Sequence, residues 1–175
     1  LLLPNNEKET SSSSVSVIKT VEMSSKKLES FTGAYWYEKD SYARHIVLEN
    51  DTLRYVRGGN NRSNLVPVGE NMFRMIGVDV ELTVNFTGDL MEVTVDDEAP
   101  YIHKKYTPVD PTSDVLGEYV GSFYSPELET SYEFFLEEGE LKWHHPRLGD
   151  QKIEFLKQDV LKGGWPIDVI KVQRG

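Results

Sequence analysis

The sequence predicts an all-β protein made of two tandem small antiparallel barrels of up to eight strands each, the second one incomplete. Three observations carry that expectation. Apolar side chains recur at every second position through several short segments, the period of a half-buried strand. Clusters of Gly, Asn and Asp punctuate those segments where turns are needed. A block that opens at Leu28 returns 88 positions later at Leu116, and self-similarity of that kind marks a repeated structural unit. No stretch carries a sustained 3.6-residue apolar stripe.

Residues 1–26 read as a linker or N-terminal arm. Asn5 to Thr10 is polar, and Ser11 to Ser14 is a low-complexity run that builds no core. Val15, Val17 and Ile18 are expected to form a short extended segment pinned to a neighbour. Residues 27–108 form the first predicted barrel. Tyr42, Arg44, Ile46 and Leu48 share one strand face; Asn50-Asp51 makes a turn, and Leu53 and Tyr55 start the next strand. Gly58-Gly59-Asn60-Asn61 is a second tight turn. Val78 to Phe86 alternates strictly and predicts one strand. Thr87-Gly88-Asp89 turns the chain into a further strand carrying Met91, Val93 and Val95. Pro108-Val109-Asp110-Pro111-Thr112 reads as an inter-domain linker, and residues 112–175 as the second barrel.

The repeat is ungapped over about 40 residues. Leu28-Glu29-Ser30-Phe31-Thr32-Gly33-Ala34-Tyr35-Trp36 matches Leu116-Gly117-Glu118-Tyr119-Val120-Gly121-Ser122-Phe123-Tyr124. Leu48, Leu53 and Tyr55 fall on Leu136, Leu141 and Trp143, and Leu65 and Val68 on Ile153 and Leu156. The Leu and first aromatic are expected to point inward, while the Gly permits a bend where a side chain would clash. Counterparts of roughly residues 89–107 are missing from the second copy, which predicts an unpaired edge. Near there the register is ambiguous, and Ile167-Asp168-Val169 fits Val78-Asp79-Val80 better at an offset of 89.

The block L-x-x-[FY]-x-G-x-[YF], the hairpin L-E-x-x-x-L-x-[YW] and the run Leu65 to Phe73 resemble a known appendage. They are similar to the lipocalin-like β-barrel modules found C-terminal to penicillin-binding-protein and β-lactamase-type serine hydrolases, the D-aminopeptidase group included. The resemblance covers about residues 27–175. It implies a non-catalytic accessory module that packs on the catalytic serine-hydrolase domain of the same polypeptide and shapes substrate access, through loops such as residues 57–64 or 146–150. It also implies a bacterial, extracytoplasmic location. The catalytic elements of such hydrolases are a Ser-x-x-Lys nucleophile, a Tyr-x-Asn or Ser-x-Asn element, and a Lys-Thr-Gly or His-x-Gly strand. Only the first spacing occurs, as Ser24-Ser25-Lys26-Lys27 in a Ser/Lys-rich stretch with no pattern that would bury the lysine. The fragment is therefore expected not to be an enzyme.

Charge and composition narrow the partners. The chain holds 19 Lys+Arg against 29 Asp+Glu, a net charge of −10, which argues against nucleic acid and anionic membrane surfaces. No apolar run approaches the roughly 18 residues of a membrane span. The absence of cysteine removes disulfides, thiolate zinc sites and a Cys nucleophile. Without an initiator Met or signal-peptide pattern, the chain reads as a mature or excised fragment. His144 and His145 point to opposite faces of a strand and do not converge on one metal; no metal or cofactor is expected. Acidic clusters such as Asp96-Asp97-Glu98 fall in turns and read as solvated. Asn50-Asp51-Thr52, Asn61-Arg62-Ser63 and Asn85-Phe86-Thr87 are sequons that matter only in a secreted eukaryotic protein. The rival reading is an independent lipocalin-like protein whose barrel interior binds a small apolar or sugar ligand. Its candidate residues, near a barrel mouth, are Tyr55, Arg57, Trp143, His145 and Trp165.

Overall fold

In the computed structural model, residues 18–145, 147–165 and 167–174 are described. The expected segment at Val15 and Val17 lies outside them. Over Ile18 to Met23, which form no helix or strand, the Val21 amide donates to the Pro67 carbonyl at 2.9 Å and ties this segment to the barrel that follows.

The repeated Leu-x-x-aromatic block opens with a helical turn, which the alternation pattern did not predict. In α1 (Ser25–Ser30), the Ser24 hydroxyl accepts the Lys27 amide at 3.3 Å and so caps a free N–H. Ser24 is thus a helix cap. One turn places Leu28 and Phe31 on the same side, and both are buried in the barrel core. Gly33 follows at φ +139°, where L side chains are strained, and bends the chain into the first strand.

Eight antiparallel strands then close into a barrel: β1 (Gly33–Tyr37), β2 (Tyr42–Glu49), β3 (Thr52–Gly58), β4 (Asn61–Pro67), β5 (Met72–Ile76), β6 (Leu82–Thr87), β7 (Leu90–Val95) and β8 (Tyr101–Tyr106). Closure runs through Ala34↔Tyr106, Tyr35↔Lys105 and Trp36↔Lys104, so no edge of this sheet is left open. Asn50 and Asp51 both take positive φ, 49° and 54°, as a two-residue hairpin matched to strand twist requires. Alternate residues fill the interior. Phe31, Phe73 and Phe86 form its centre, with ring centroids 4.8–5.6 Å apart. The expected strand over Val78 to Phe86 is shorter than its alternation. It starts at Leu82, and Val80 is exposed. The Glu81 amide donates to the Asp96 carboxylate and the Asp96 amide to the Glu81 carbonyl, which pins the start of the β6–β7 ladder at Leu82↔Val95.

Past Pro108–Pro111, Thr112 caps α2 (Ser113–Gly117) as Ser24 caps α1. Two further sheets follow. One orders β9 (Gly121–Ser125), β10 (Thr130–Glu137), β11 (Glu140–His145) and β12 (Gly149–Lys152); the other orders β13 (Glu154–Lys157), β14 (Val160–Lys162) and β15 (Val169–Lys171). Only Ile153 separates β12 from β13, and its amide donates to the Leu141 carbonyl at 2.8 Å. The seven segments therefore trace six successive strand positions. Pairings of the barrel recur 88 positions on. Gly33↔Ile46 reappears as Gly121↔Phe134, Ile46↔Tyr55 as Phe134↔Trp143, and Phe73↔Pro67 as Leu161↔Phe155.

The last strand departs from that offset. Leu161 pairs with Ile170 where Phe73 pairs with Val84, and the Val172 amide reaches the Asp159 carbonyl as the Phe86 amide reaches that of Asn71. The correspondence there is 86 positions, so Ile167 to Val169 does not overlie Val78 to Val80. An even shift preserves which side chains point inward.

Gly33→Ala and Gly121→Ala are each expected to cost about 1–3 kcal/mol in urea unfolding, because both glycines sit near φ +140°. A Cβ at Gly121 meets nothing within 4 Å, while one at Gly33 meets the flexible end of Lys105. Similar losses at both sites would identify backbone strain, not crowding, as the cause.

Candidate functional site

The five candidate residues divide between the two halves of the chain. Tyr55 and Arg57 lie on β3 of the barrel, and Trp143 and His145 on β11. They occupy corresponding ladder positions 88 apart, so one pattern recurs at two places and does not converge on one. Tyr55 is buried, and burial raises its phenol pKa against the opposing charge of Arg44. Arg57 is consumed internally: it donates to Ser63 Oγ at 2.9 Å and Asn61 Oδ1 at 3.2 Å, and its guanidinium lies 5.1 Å from the Tyr55 ring centre. Trp143 is buried with Nε1 donating to the Gly163 carbonyl at 3.2 Å. His145 packs edge-on against it at 5.4 Å, and its Nδ1 accepts the amides of Arg147 and Leu148. Trp165 stands 6.5 Å from His145 and is 77% exposed. His144 faces the other way and meets Asp150 at 2.8 Å.

Close to Tyr55, sequence reasoning missed an aromatic cluster. His103 on β8 is buried among the rings of Tyr37 and Tyr42, 5.1 and 5.6 Å away, while Arg44 stacks 3.9 Å above Tyr42. His103 Nδ1 lies 3.0 Å from the Tyr101 carbonyl, which places the proton on that nitrogen. Its Nε2 is buried with no hydrogen-bond partner among the described residues. Burial, reinforced by the Arg44 charge, holds the imidazole below its ordinary pKa of 6.5. The signal that would have found it is parity: His103 follows Tyr101 on the inward phase of β8.

A concavity opens in the second half. A cleft of about 980 Å³ opens between β9 and the β15 segment, floored by Phe123, Tyr132 and Phe134, with Ile167 and Ile170 on its far wall. The β1–β2 turn of the barrel, Lys39 to Ser41, forms part of its rim. Glu38, just before that turn, ties the two halves together. Its carboxylate meets Lys171 Nζ at 2.8 Å, Trp36 Nε1 at 2.9 Å and Lys157 Nζ at 3.4 Å. The Lys171 bond is the main cause that brings its pKa down to about 2, against a smaller opposing effect of burial. Lys157 also lies 4.4 Å from the ring centre of Trp36. On the far side of β15, Arg174 bonds Asp159, Glu118 and the hydroxyl of the fully buried Tyr119, anchoring the chain as it leaves the strand.

Among the described residues, no group of three or more His, Cys, Asp or Glu side chains is placed to hold a metal ion. No helix among the described residues is long and apolar enough to cross a membrane. No family model, curated protein or solved structure matches this chain.

Two outcomes follow from these environments. For His103, the unfolded imidazole takes a proton near pH 6.5 while the folded one resists it, so stability is fully present above that pH and falls as pH drops below it. In His103→Leu, pH-dependent urea melts between pH 7 and 5 should show a shallower fall than the parent. For Glu38, the folded carboxyl is depressed, so its contribution is present above pH 4.5 and disappears as pH falls toward about 2. Glu38→Gln should remove that acid-side dependence, with only a small loss at pH 7 because the carboxylate is largely exposed.

Proposed function

We propose that the chain is a non-catalytic accessory module of a β-lactamase-like serine hydrolase. It comprises two tandem barrels of lipocalin-like type that pack on the catalytic domain and shape access to its cleft. The observation that carries this reading is the filled interior of the β1–β8 barrel. Its centre is occupied by Phe31, Phe73, Phe86, Met91 and Val84, so the barrel serves as a rigid body and not as a container. The tandem arrangement draws support from ladder pairings that recur 88 positions apart and from the two capped helical turns that open the halves. Exposed apolar side chains are most prominent in the second half, where Tyr124, Leu128 and Trp165 are each more than half exposed, a composition suited to protein contact. An extracytoplasmic, bacterial setting belongs to the same proposal.

A second reading has one observation in its favour. The 980 Å³ cleft, with Phe123, Tyr132 and Phe134 among its lining, has the size of a small-ligand site, which fits an independent binding protein for a small ligand that meets those rings.

The two readings separate in one set of assays. The isolated chain should show no turnover of β-lactam or D-amino-acid amide reporters, and a serine-hydrolase domain encoded in the same gene should co-elute with it in size-exclusion chromatography. Turnover that vanished in Ser24→Ala would overturn the accessory role. A stoichiometric apolar ligand retained through purification, with no catalytic domain in the gene, would favour the binding protein.

A further inference from the structure

We propose that the cleft between β9 and β15 is the acceptor for a two-stranded antiparallel β-hairpin of the same polypeptide, seated as β7–β8 is seated in the first barrel. The inference rests on the tandem reading above and specifies what completes its second member.

Strand geometry sets the number of strands. The second half supplies six successive antiparallel positions, so β9 and β15 run in opposite directions. One strand placed between them would be antiparallel to one neighbour and parallel to the other. Two strands joined as a hairpin are antiparallel to both. In the barrel the corresponding edges are filled in that way: β6 pairs with β7 through Phe86↔Met91, and β1 pairs with β8 through Trp36↔Lys104.

Side-chain burial marks the same open edge independently. Trp36 and Tyr124 occupy corresponding positions on β1 and β9. Trp36 is 4% exposed, covered by the Tyr106 ring of β8 at 6.1 Å and by Lys157. Tyr124 pairs with Ser131 of β10 on one side, has no strand on its other side among the described residues, and is 64% exposed. The cleft floor repeats the pattern in part. Phe123, which also lines the cleft, is only partly buried where its counterpart Tyr35 is sealed, while Phe134 is buried like its counterpart Ile46. The occupant is therefore a hairpin with apolar residues at alternate positions, as Met91 and Val93 alternate on β7. Such a hairpin would bury the cleft floor and satisfy the free edges of β9 and β15 together.

Amide hydrogen exchange tests this on the protein expressed from its complete gene, beside residues 1–175 alone. The β9 amides that point away from β10 should exchange at least tenfold more slowly in the complete product, and emission from the apolar dye 1-anilinonaphthalene-8-sulfonate, bright with residues 1–175, should fall. Equal exchange in the two proteins would overturn the proposal. So would β9 amides already protected in monomeric residues 1–175, or protected only in a dimer, which would make a second copy the occupant. A chimera carrying a copy of residues 87–106 joined by a short linker after Gly175 gives a second arm. It should gain the same protection and several degrees of melting temperature, and a chimera with M91D and V93D in the appended copy should gain neither. Failure of the intact hairpin copy to protect β9 would show that the cleft does not accept one. These readouts are independent of hydrolase co-elution, so the accessory role and the hairpin acceptor fail or stand separately.

Discussion

Closure of the sheet is the constraint on which the rest of this structure depends. A strand edge carries a row of unpaired N–H and C=O groups, and a barrel removes that liability only when first and last strands meet. In the first half they do, through three residue pairs between β1 and β8. That junction needs Gly33 at a backbone angle other residues avoid, and it needs the helical turn of α1 to deliver Leu28 and Phe31 into the end of the barrel. Once the sheet is closed, the middle of its inward phase is sealed from solvent, while Tyr42 and Arg44 stay partly exposed. The Phe31, Phe73 and Phe86 cluster is consequently buried as a unit, each ring within 5.6 Å of the other two.

The second half obeys the same local rules without reaching closure, and its chemistry differs for that reason. A residue type that is sealed in the barrel becomes a surface in the open sheet, as the contrast between Trp36 and Tyr124 makes concrete. Polar anchors hold the shape that a continuous ladder would otherwise hold. Arg174 bridges Asp159, Glu118 and the Tyr119 hydroxyl behind β15, and Glu38 gathers Lys157 and Lys171 against the barrel. Charge networks of this kind orient elements more than they stabilise them, since exposed pairs contribute little individually.

Much of this was legible in the primary structure. The period-two runs and turn clusters located most strands, and the Asn50-Asp51 and Glu138-Gly139 hairpins adopt the positive φ values that their residue types permit. The division of His144 outward and His145 inward followed from alternation alone. Less was legible for the candidate site. Tyr55 with Arg57 and Trp143 with His145, read as candidates near a barrel mouth, are the same ladder position seen once in each half. Val80 alternates correctly yet lies outside β6, because the Glu81–Asp96 backbone and carboxylate bonds determine where pairing begins. His103 and Glu38 went unrecognised, as neither is part of a local motif.

The sequence by itself determined the all-β class and the inward and outward phases of most strands, since each depends on near neighbours in the chain, and the 88-residue recurrence, since it is carried by the spacing of like residues. Tertiary structure alone decided which edges close, where β15 slips to an 86-residue correspondence, and which aromatic residues are sealed or exposed. Those outcomes depend on pairings between residues far apart in the chain. Tyr35 and Lys105 close the barrel, and Glu38 and Lys171 fix the second half against it. Local alternation is compatible with many such pairings, and selection among them comes from backbone hydrogen bonding and packing across the whole fold.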